Sequence, residues 1–171
     1  MADGILKVGT ITNSAGSGNI TLPSGVTMTG AGKILQIVQG TTTTETRNST
    51  NVLADTTLTA DITPASTSNK VLVMVTQAGC SKNNANAGNQ MVLKLLRAGS
   101  AILTFANNFG YTNSTLALTV GSASTVYLDS PATTSATTYK TQFSNGNNTA
   151  SVGVQDTGGE TSTITLMEIA V

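Results

Sequence analysis

The sequence contains no histidine, no tryptophan and a single cysteine, and only 9% of its 171 residues are charged. Without histidine, the chain cannot build a Cys-His metal site or a Cys-His nucleophile pair. The lone Cys80 excludes a disulfide within the chain. Eight basic residues balance eight acidic residues, so we expect no concentrated positive surface for nucleic acid or an anionic membrane. No cofactor is predicted.

The sequence also lacks the signals of export and membrane insertion. Its first residues, MADGILKVG, contain no basic region followed by a long apolar stretch, and no apolar run approaches the roughly 18 residues of a membrane span. We therefore expect a protein made in a cytoplasm without a targeting signal and without membrane insertion.

Threonine supplies about a fifth of the chain, and Ser, Asn and Gly are also abundant. Threonine favours extended backbone through its branched β-carbon, while its hydroxyl can face water. Helical patterns are nearly absent, and the short candidate over residues 90–98 is flanked by glycines. The composition predicts an all-β protein with a neutral surface of hydroxyl and amide groups.

The densest apolar sequence lies in residues 70–105. Val71, Val73 and Val75 fall on one face of an extended chain and Leu72 and Met74 on the other, which predicts a strand in the middle of a sheet, covered on both faces. The chain then returns through residues 91–97 and 101–105. We interpret the three segments as an antiparallel meander.

Residues 33–171 contain about nine or ten short strands at hairpin spacing, with no helical crossover between them. This pattern predicts an antiparallel β-sandwich of jelly-roll type as the head domain. Asn145-Gly146 is the strongest turn signal and predicts a tight hairpin whose return strand is residues 150–154.

Residues 1–32 differ, because their short β segments are punctuated by glycine and are too weak to form a core alone. We interpret them as an N-terminal β arm that attaches the domain to an assembly. The apolar candidates for that contact are Ile5, Leu6, Val8 and Ile11.

The ionisable residues offer little for catalysis, and we predict that the protein is not an enzyme. A glycosidase needs two carboxylates at a set separation, and no local spacing marks such a pair. Residues 156–160 could offer oxygen atoms to a cation, but the ligand series is incomplete and a solvated turn is favoured.

Carbohydrate binding is a second use of a neutral β-sandwich, since sugars stack on aromatic rings and bond to amides. Tyr127 and Tyr139 are expected to pack on the sheets, whereas Tyr111 is placed in a loop. The candidate receptor-binding residues are Asn83, Asn84, Asn86, Asn107, Asn108 and Tyr111.

Several blocks resemble virion proteins of tailed bacteriophages, especially tail-fibre and tail-tip modules of phages infecting marine bacteria. They are ILKVGTITNSAGSGNITLPSGVTM followed by GKILQIVQ, then LTADITPASTSNKVLVMVTQAGC and GNQMVLKLLRAGSAILTF. The likeness covers most of the chain from about Lys33 onward. It rests on the order and style of the blocks, without a catalytic signature.

The resemblance implies a structural or host-adsorption role in a virion, contacts with other virion proteins, homotrimers and a distal β-sandwich head. Long fibres carry an extended shaft, and this chain has room only for an arm and one head. A short tail spike, a fibre cap and a capsid decoration protein therefore remain open, as does an isolated carbohydrate-binding module.

Overall fold

The computed structural model describes residues 32–83, 86–147, 150–156 and 158–171, and all regular structure within these ranges is β. Residues 1–31 of the predicted arm, with Ile5, Leu6, Val8 and Ile11, lie outside the described residues. The strands are β1 (Ile34–Thr42), β2 (Thr46–Asn48), β3 (Ala54–Ile62), β4 (Lys70–Lys82), β5 (Met91–Arg97), β6 (Ser100–Phe109), β7 (Leu118–Asp129), β8 (Thr137–Asn145), β9 (Val152–Val154) and β10 (Ser162–Ile169).

Two antiparallel sheets form the sandwich. In sheet 1, β4 pairs with β7 along one edge and with β10 and then β9 along the other, while β1 and β2 pair outside β10 and β9. Sheet 2 has the order β3-β8-β5-β6. If β1 with β2, and β9 with β10, each count as one interrupted strand, the two orders are those of an eight-stranded jelly roll. The predicted fold class is confirmed.

The core lies between the inner faces of the two sheets. Val71, Val73 and Val75 of β4 are at most 2% exposed, as the alternating pattern predicts. They pack with Leu95 and Tyr139 from sheet 2. Toward the other end of the sandwich a second cluster forms around Cys80, Met91, Leu93, Phe143, Val152 and Val154.

Two predicted connections are wrong. β5 and β6 form a hairpin in sheet 2, but β4 belongs to sheet 1, so the three strands are not a meander. Likewise β8 does not pair with β9, because the chain crosses from sheet 2 to sheet 1 after Asn145-Gly146. Both edges of β4 are already occupied by β7 and β10, and apolar alternation along a strand specifies its buried face without specifying its neighbours.

A buried polar contact ties the two sheets together. Tyr139 Oη donates to Asp129 Oδ2 over 2.6 Å, and Arg97 Nη1 lies 2.9 Å from the same carboxylate. Burial, followed by the neighbouring carboxylate, raises the pKa of Tyr139 above its ordinary value. The phenol therefore stays protonated and acts as a donor.

No helix in the described part of the chain is long and apolar enough to cross a membrane.

Candidate functional site at the loop end of the sandwich

Four connections meet at one end of the sandwich, because strands that are consecutive in the chain run in alternating directions. Backbone hydrogen bonds join them: Asn145 N donates to Thr50 O over 2.9 Å, Gly146 N to Gln90 O over 2.8 Å, and Gly88 N to Thr112 O over 3.4 Å. We call this surface the loop end. It comprises the described residues 49–53, 83, 86–90, 110–117, 146–147 and 150–151.

The chain enters the domain at the opposite end. Gly32 N donates to Ala170 O over 2.7 Å and Ala170 N to Lys33 O over 2.9 Å, so the first described residues lie beside the last strand. The connection between β5 and β6 lies at this end as well, where Ala98 N donates to Thr138 O. We call it the arm end. The described chain therefore begins, at Gly32, at the end farthest from the loop end.

Two buried asparagines hold the loop end in place. Asn145 Nδ2 donates to Asn89 Oδ1 over 2.6 Å and also to Ala150 O, while Asn89 Nδ2 donates to Ser151 O over 2.8 Å. Neither asparagine is exposed. Since an unpaired buried amide costs about 1–3 kcal/mol, this arrangement favours one conformation of the connections it joins.

A buried lysine fixes the connection between β6 and β7. Lys82 is 1% exposed, and its Nζ donates to Thr112 Oγ1 over 2.9 Å and to Ser114 O over 2.6 Å. A buried ammonium group needs such partners. Lys82 therefore anchors residues 112–114 to the end of β4.

Tyr111 is the most prominent aromatic side chain of the loop end, with 53% of its surface exposed. Its ring lies beside the turn at residues 86–88, because a β-carbon at Gly88 would be 3.9 Å from Tyr111 Cε2. Gly88 has a φ of +85°, which favours glycine. Asn86 starts the same turn by accepting from Asn89 N over 3.2 Å. The structure thus brings Asn86 and Tyr111 into one region.

Asn107 and Asn108 lie in a strand, which corrects the prediction of a loop from Asn107 onward. β6 continues to Phe109, which pairs with Met91 across a bulged ladder. Both asparagines are exposed, and Asn108 O accepts from Tyr111 N over 3.1 Å. They border Tyr111 on the edge strand of sheet 2. Asn84 lies outside the described residues.

Asn83 has a different environment, because its amide donates to Asp156 Oδ2. Ser81 also donates to that carboxylate, and Arg47 Nη2 lies 2.7 Å from Oδ1. Burial opposes ionisation of Asp156, but the hydrogen bonds from Ser81 and Asn83 and the charge of Arg47 outweigh it and hold its pKa below the ordinary range. Among the described residues, the positive group beside Asp156 is therefore the guanidinium of Arg47.

A shallow groove of about 600 Å³ runs along the loop end over the outside of sheet 2. Val52, which is 69% exposed, and Lys94 are among its lining residues. The other lining groups are largely amide, hydroxyl and aliphatic. Such groups can hydrogen-bond and contact a neutral ligand. Tyr111 is not among the residues that line this groove. No group of three or more His, Cys, Asp or Glu side chains in the described ranges could hold a metal ion.

Comparison with models of known protein families and with curated protein sequences finds no match to this chain.

Sequence reasoning missed the residues that organise this surface, namely Lys82, Asn89 and Asn145. Only Asn145 carried a signal, as the first residue of the Asn-Gly turn. Lysine and asparagine are usually exposed, so nothing in the pattern marked these three as buried.

Proposed function

We propose that this chain is a structural protein of a tailed-bacteriophage virion, a short tail fibre or tail-tip component whose loop end contacts the host surface. The observation that carries the proposal is the opposite placement of the two ends. The described chain begins at the arm end, with Gly32 beside Ala170, while the four connections between the sheets meet at the loop end. A receptor-binding tip needs this polarity, with attachment behind and ligand contact in front.

The character of the loop end also supports adsorption. Its connections are tied by buried side chains such as Asn145 and Lys82, so little conformational freedom is lost when a ligand binds. Exposed Tyr111 and the bordering Asn107 and Asn108 offer a stacking surface with amides beside it. Glycans of the cell surface are the ligand class that such groups recognise.

The proposal includes assembly. Resemblance to fibre modules favours a homotrimer held in the virion by other tail proteins, with no enzymatic step and no nucleic-acid contact. The even balance of charge across the sequence is consistent with a role in packing against protein neighbours.

The test is competition for adsorption. The purified 171-residue chain is added to cells of the bacterial strain in which the virus propagates, and free virus is counted. We expect the chain to bind the cells and slow adsorption. Tyr111→Ala should weaken cell binding at least about fivefold, since stacking on one ring supplies about 1–3 kcal/mol.

Ile34→Ala is the matched control, because Ile34 is 51% exposed, close to the 53% of Tyr111, but lies toward the arm end. It should bind cells as the wild type does. Periodate oxidation of the cell-surface sugars should abolish binding if the receptor is a glycan. If the chain does not bind cells but binds emptied capsids, it is a capsid decoration protein, and the proposed role in adsorption is wrong.

A further inference from the structure

The outer face of sheet 1 carries an unbroken apolar row. Ile37 of β1 pairs with Met167 of β10, Met167 with Leu72 of β4, and Leu72 with Leu128 of β7. Residues paired across neighbouring strands project to the same side. The row therefore crosses all four strands on the side of the sheet that faces away from the core.

Further apolar side chains widen this row into a patch. Met74 pairs with Val126 in the adjacent row, whose positions on β10 and β1 are the polar Thr165 and Gln39. Leu35 lies two residues before Ile37 on β1. The exposed fractions are 40% for Leu35, 59% for Ile37, 65% for Val126 and 54% for Leu128. Single exposed apolar residues are ordinary, but a contiguous patch of this kind marks an interaction surface. We call it the apolar face.

The margin of the apolar face is polar and almost free of charge. Next to the row of Met74 come Thr41, Thr163, Thr76 and Ser124, which again pair across the four strands. Among the outward positions of these strands in the described residues, Lys70 at the opposite end carries the one charge, and its Nζ donates to Ser130 Oγ over 2.6 Å.

We infer that a second copy of this chain packs on the apolar face. A partner that relied on charge would find almost no counter-charge there, whereas a copy of the same face brings little like-charge repulsion. An apolar centre with an uncharged polar margin is also the usual anatomy of an interface between subunits. The inference concerns self-assembly and holds whether or not the loop end binds a receptor.

The shape of the apolar face is compatible with contact between two copies of it. Ile37 projects from β1 at one side of the sheet, while a depression of about 440 Å³ lies between β4 and β7 at the other side, lined in part by Met74, Thr76, Ser124 and Val126. A projection and a hollow on one surface can engage a second copy reciprocally, or in sequence around a ring.

The size of the apolar face also fits an interface with a second copy. Strands are about 4.8 Å apart and outward residues about 6.8 Å apart along a strand, so the patch and its polar row cover roughly 15 by 20 Å. That area can form the centre of a standard interface, in which each partner buries about 800 Å². A broad sheet face fits another folded domain better than a single extended peptide.

The N-terminal segment is the competing occupant. The bonds between Gly32 and Ala170 and between Ala170 and Lys33 continue the ladder of β1 and β10. The described chain therefore follows the strand direction up to Gly32 and meets the end of the sheet there. To cover the apolar face, residues 1–31 would have to reverse over it.

The test introduces charge on the apolar face and measures mass. The variants are Ile37→Lys and Leu128→Lys, and the controls are Val52→Lys and Leu116→Lys, whose side chains are 69% and 64% exposed at the loop end. Each protein is run through size-exclusion chromatography with light scattering over a hundredfold concentration range. All four changes are at exposed positions, and thermal unfolding checks that each variant folds.

We expect the wild type and both controls to be oligomeric, with a trimer at three times the chain mass of 17.3 kDa. Ile37→Lys and Leu128→Lys should dissociate at concentrations at least tenfold higher than the wild type. A monomeric wild type overturns the inference, as do face variants that keep the wild-type mass. Limited digestion with trypsin is run on the same proteins. If the face variants keep the wild-type mass and differ from the wild type in faster cleavage at Lys7, the N-terminal segment is the occupant and the inference is wrong.

Discussion

Tyr139 and Asp129 lie in different sheets, and the Tyr139 hydroxyl donates to Asp129 Oδ2 over 2.6 Å. Tyr139 is fully buried and Asp129 is 5% exposed. Arg97 supplies the countercharge, with Nη1 2.9 Å from the carboxylate. The contact thus fixes the spacing of the sheets near the arm end through a neutral donor and an ion pair.

Replacing Tyr139 by Phe should destabilise the domain by about 1–3 kcal/mol, because Asp129 loses a buried donor while the ring volume is kept. Urea unfolding followed by circular dichroism measures the change in the free energy of unfolding. Tyr111→Phe is the control, since Tyr111 is half exposed, and it should change stability by less than about 0.5 kcal/mol. Equal effects of the two changes would contradict the assigned role of Tyr139.

Asn145→Ala should loosen the loop end. The change leaves Asn89 Oδ1 and the carbonyl of Ala150 without the amide they share, at a cost of about 1–3 kcal/mol. Hydrogen exchange should show faster exchange at Asn147, whose backbone N–H donates to Asn145 Oδ1 over 2.8 Å. The exposed Asn107→Ala variant should exchange there at the wild-type rate, and unchanged protection in Asn145→Ala would contradict the argument.

Stability should fall in acid through Glu168. Its burial opposes ionisation, but hydrogen bonds from Asn69, Gln36 and the backbone of Ala65 outweigh it and hold the pKa below the ordinary value of 4.5. A carboxyl group with a lowered folded-state pKa stabilises above its unfolded-state pKa, and that contribution is lost as pH falls through the folded-state value.

Glu168→Gln should therefore lower the free energy of unfolding by about 1–3 kcal/mol at pH 7, and by less near pH 3. Asp61→Asn removes an exposed carboxylate of β3 and should stay within about 0.5 kcal/mol of the wild type at both pH values. Urea titrations at the two pH values measure the free energy of unfolding of both variants and the wild type. If Glu168→Gln lost more free energy of unfolding near pH 3 than at pH 7, the predicted direction of the pH dependence would be wrong.

Cys80 should be inert in the folded protein. It is fully buried, and burial raises the pKa of its thiol to about 12. Because the thiolate is the reactive form, labelling by a disulfide reagent at pH 8 should be at least about a thousandfold slower than in urea-unfolded protein. Rapid labelling of one thiol per chain without denaturant would contradict the burial of β4.

The architecture was largely predictable from sequence, whereas the site was not. Alternation at Val71, Val73 and Val75 marked the buried face of β4, and turn residues marked most strand ends. The pairing of β4 with β7 and β10 was not readable, because it depends on contacts far apart in the chain. Leu72 and Met74 were expected to be covered, and within the described chain they are only half-buried, on the face that we assign to a second copy.

The residues of the loop end were harder to predict from sequence than the strands. Tyr111 could be selected because aromatic residues are scarce. Lys82 and Asn145 could not, since their burial follows from how the connections meet in three dimensions. Asn83 was selected for its amide, and that amide is bound to Asp156.

Locating the chain on virus particles tests the central claim most directly. Purified virions are incubated with gold-labelled antibody raised against the 171-residue chain and imaged by electron microscopy. Our account predicts gold at the end of the tail. Gold distributed over the capsid, or particles that lack the chain altogether, would contradict it.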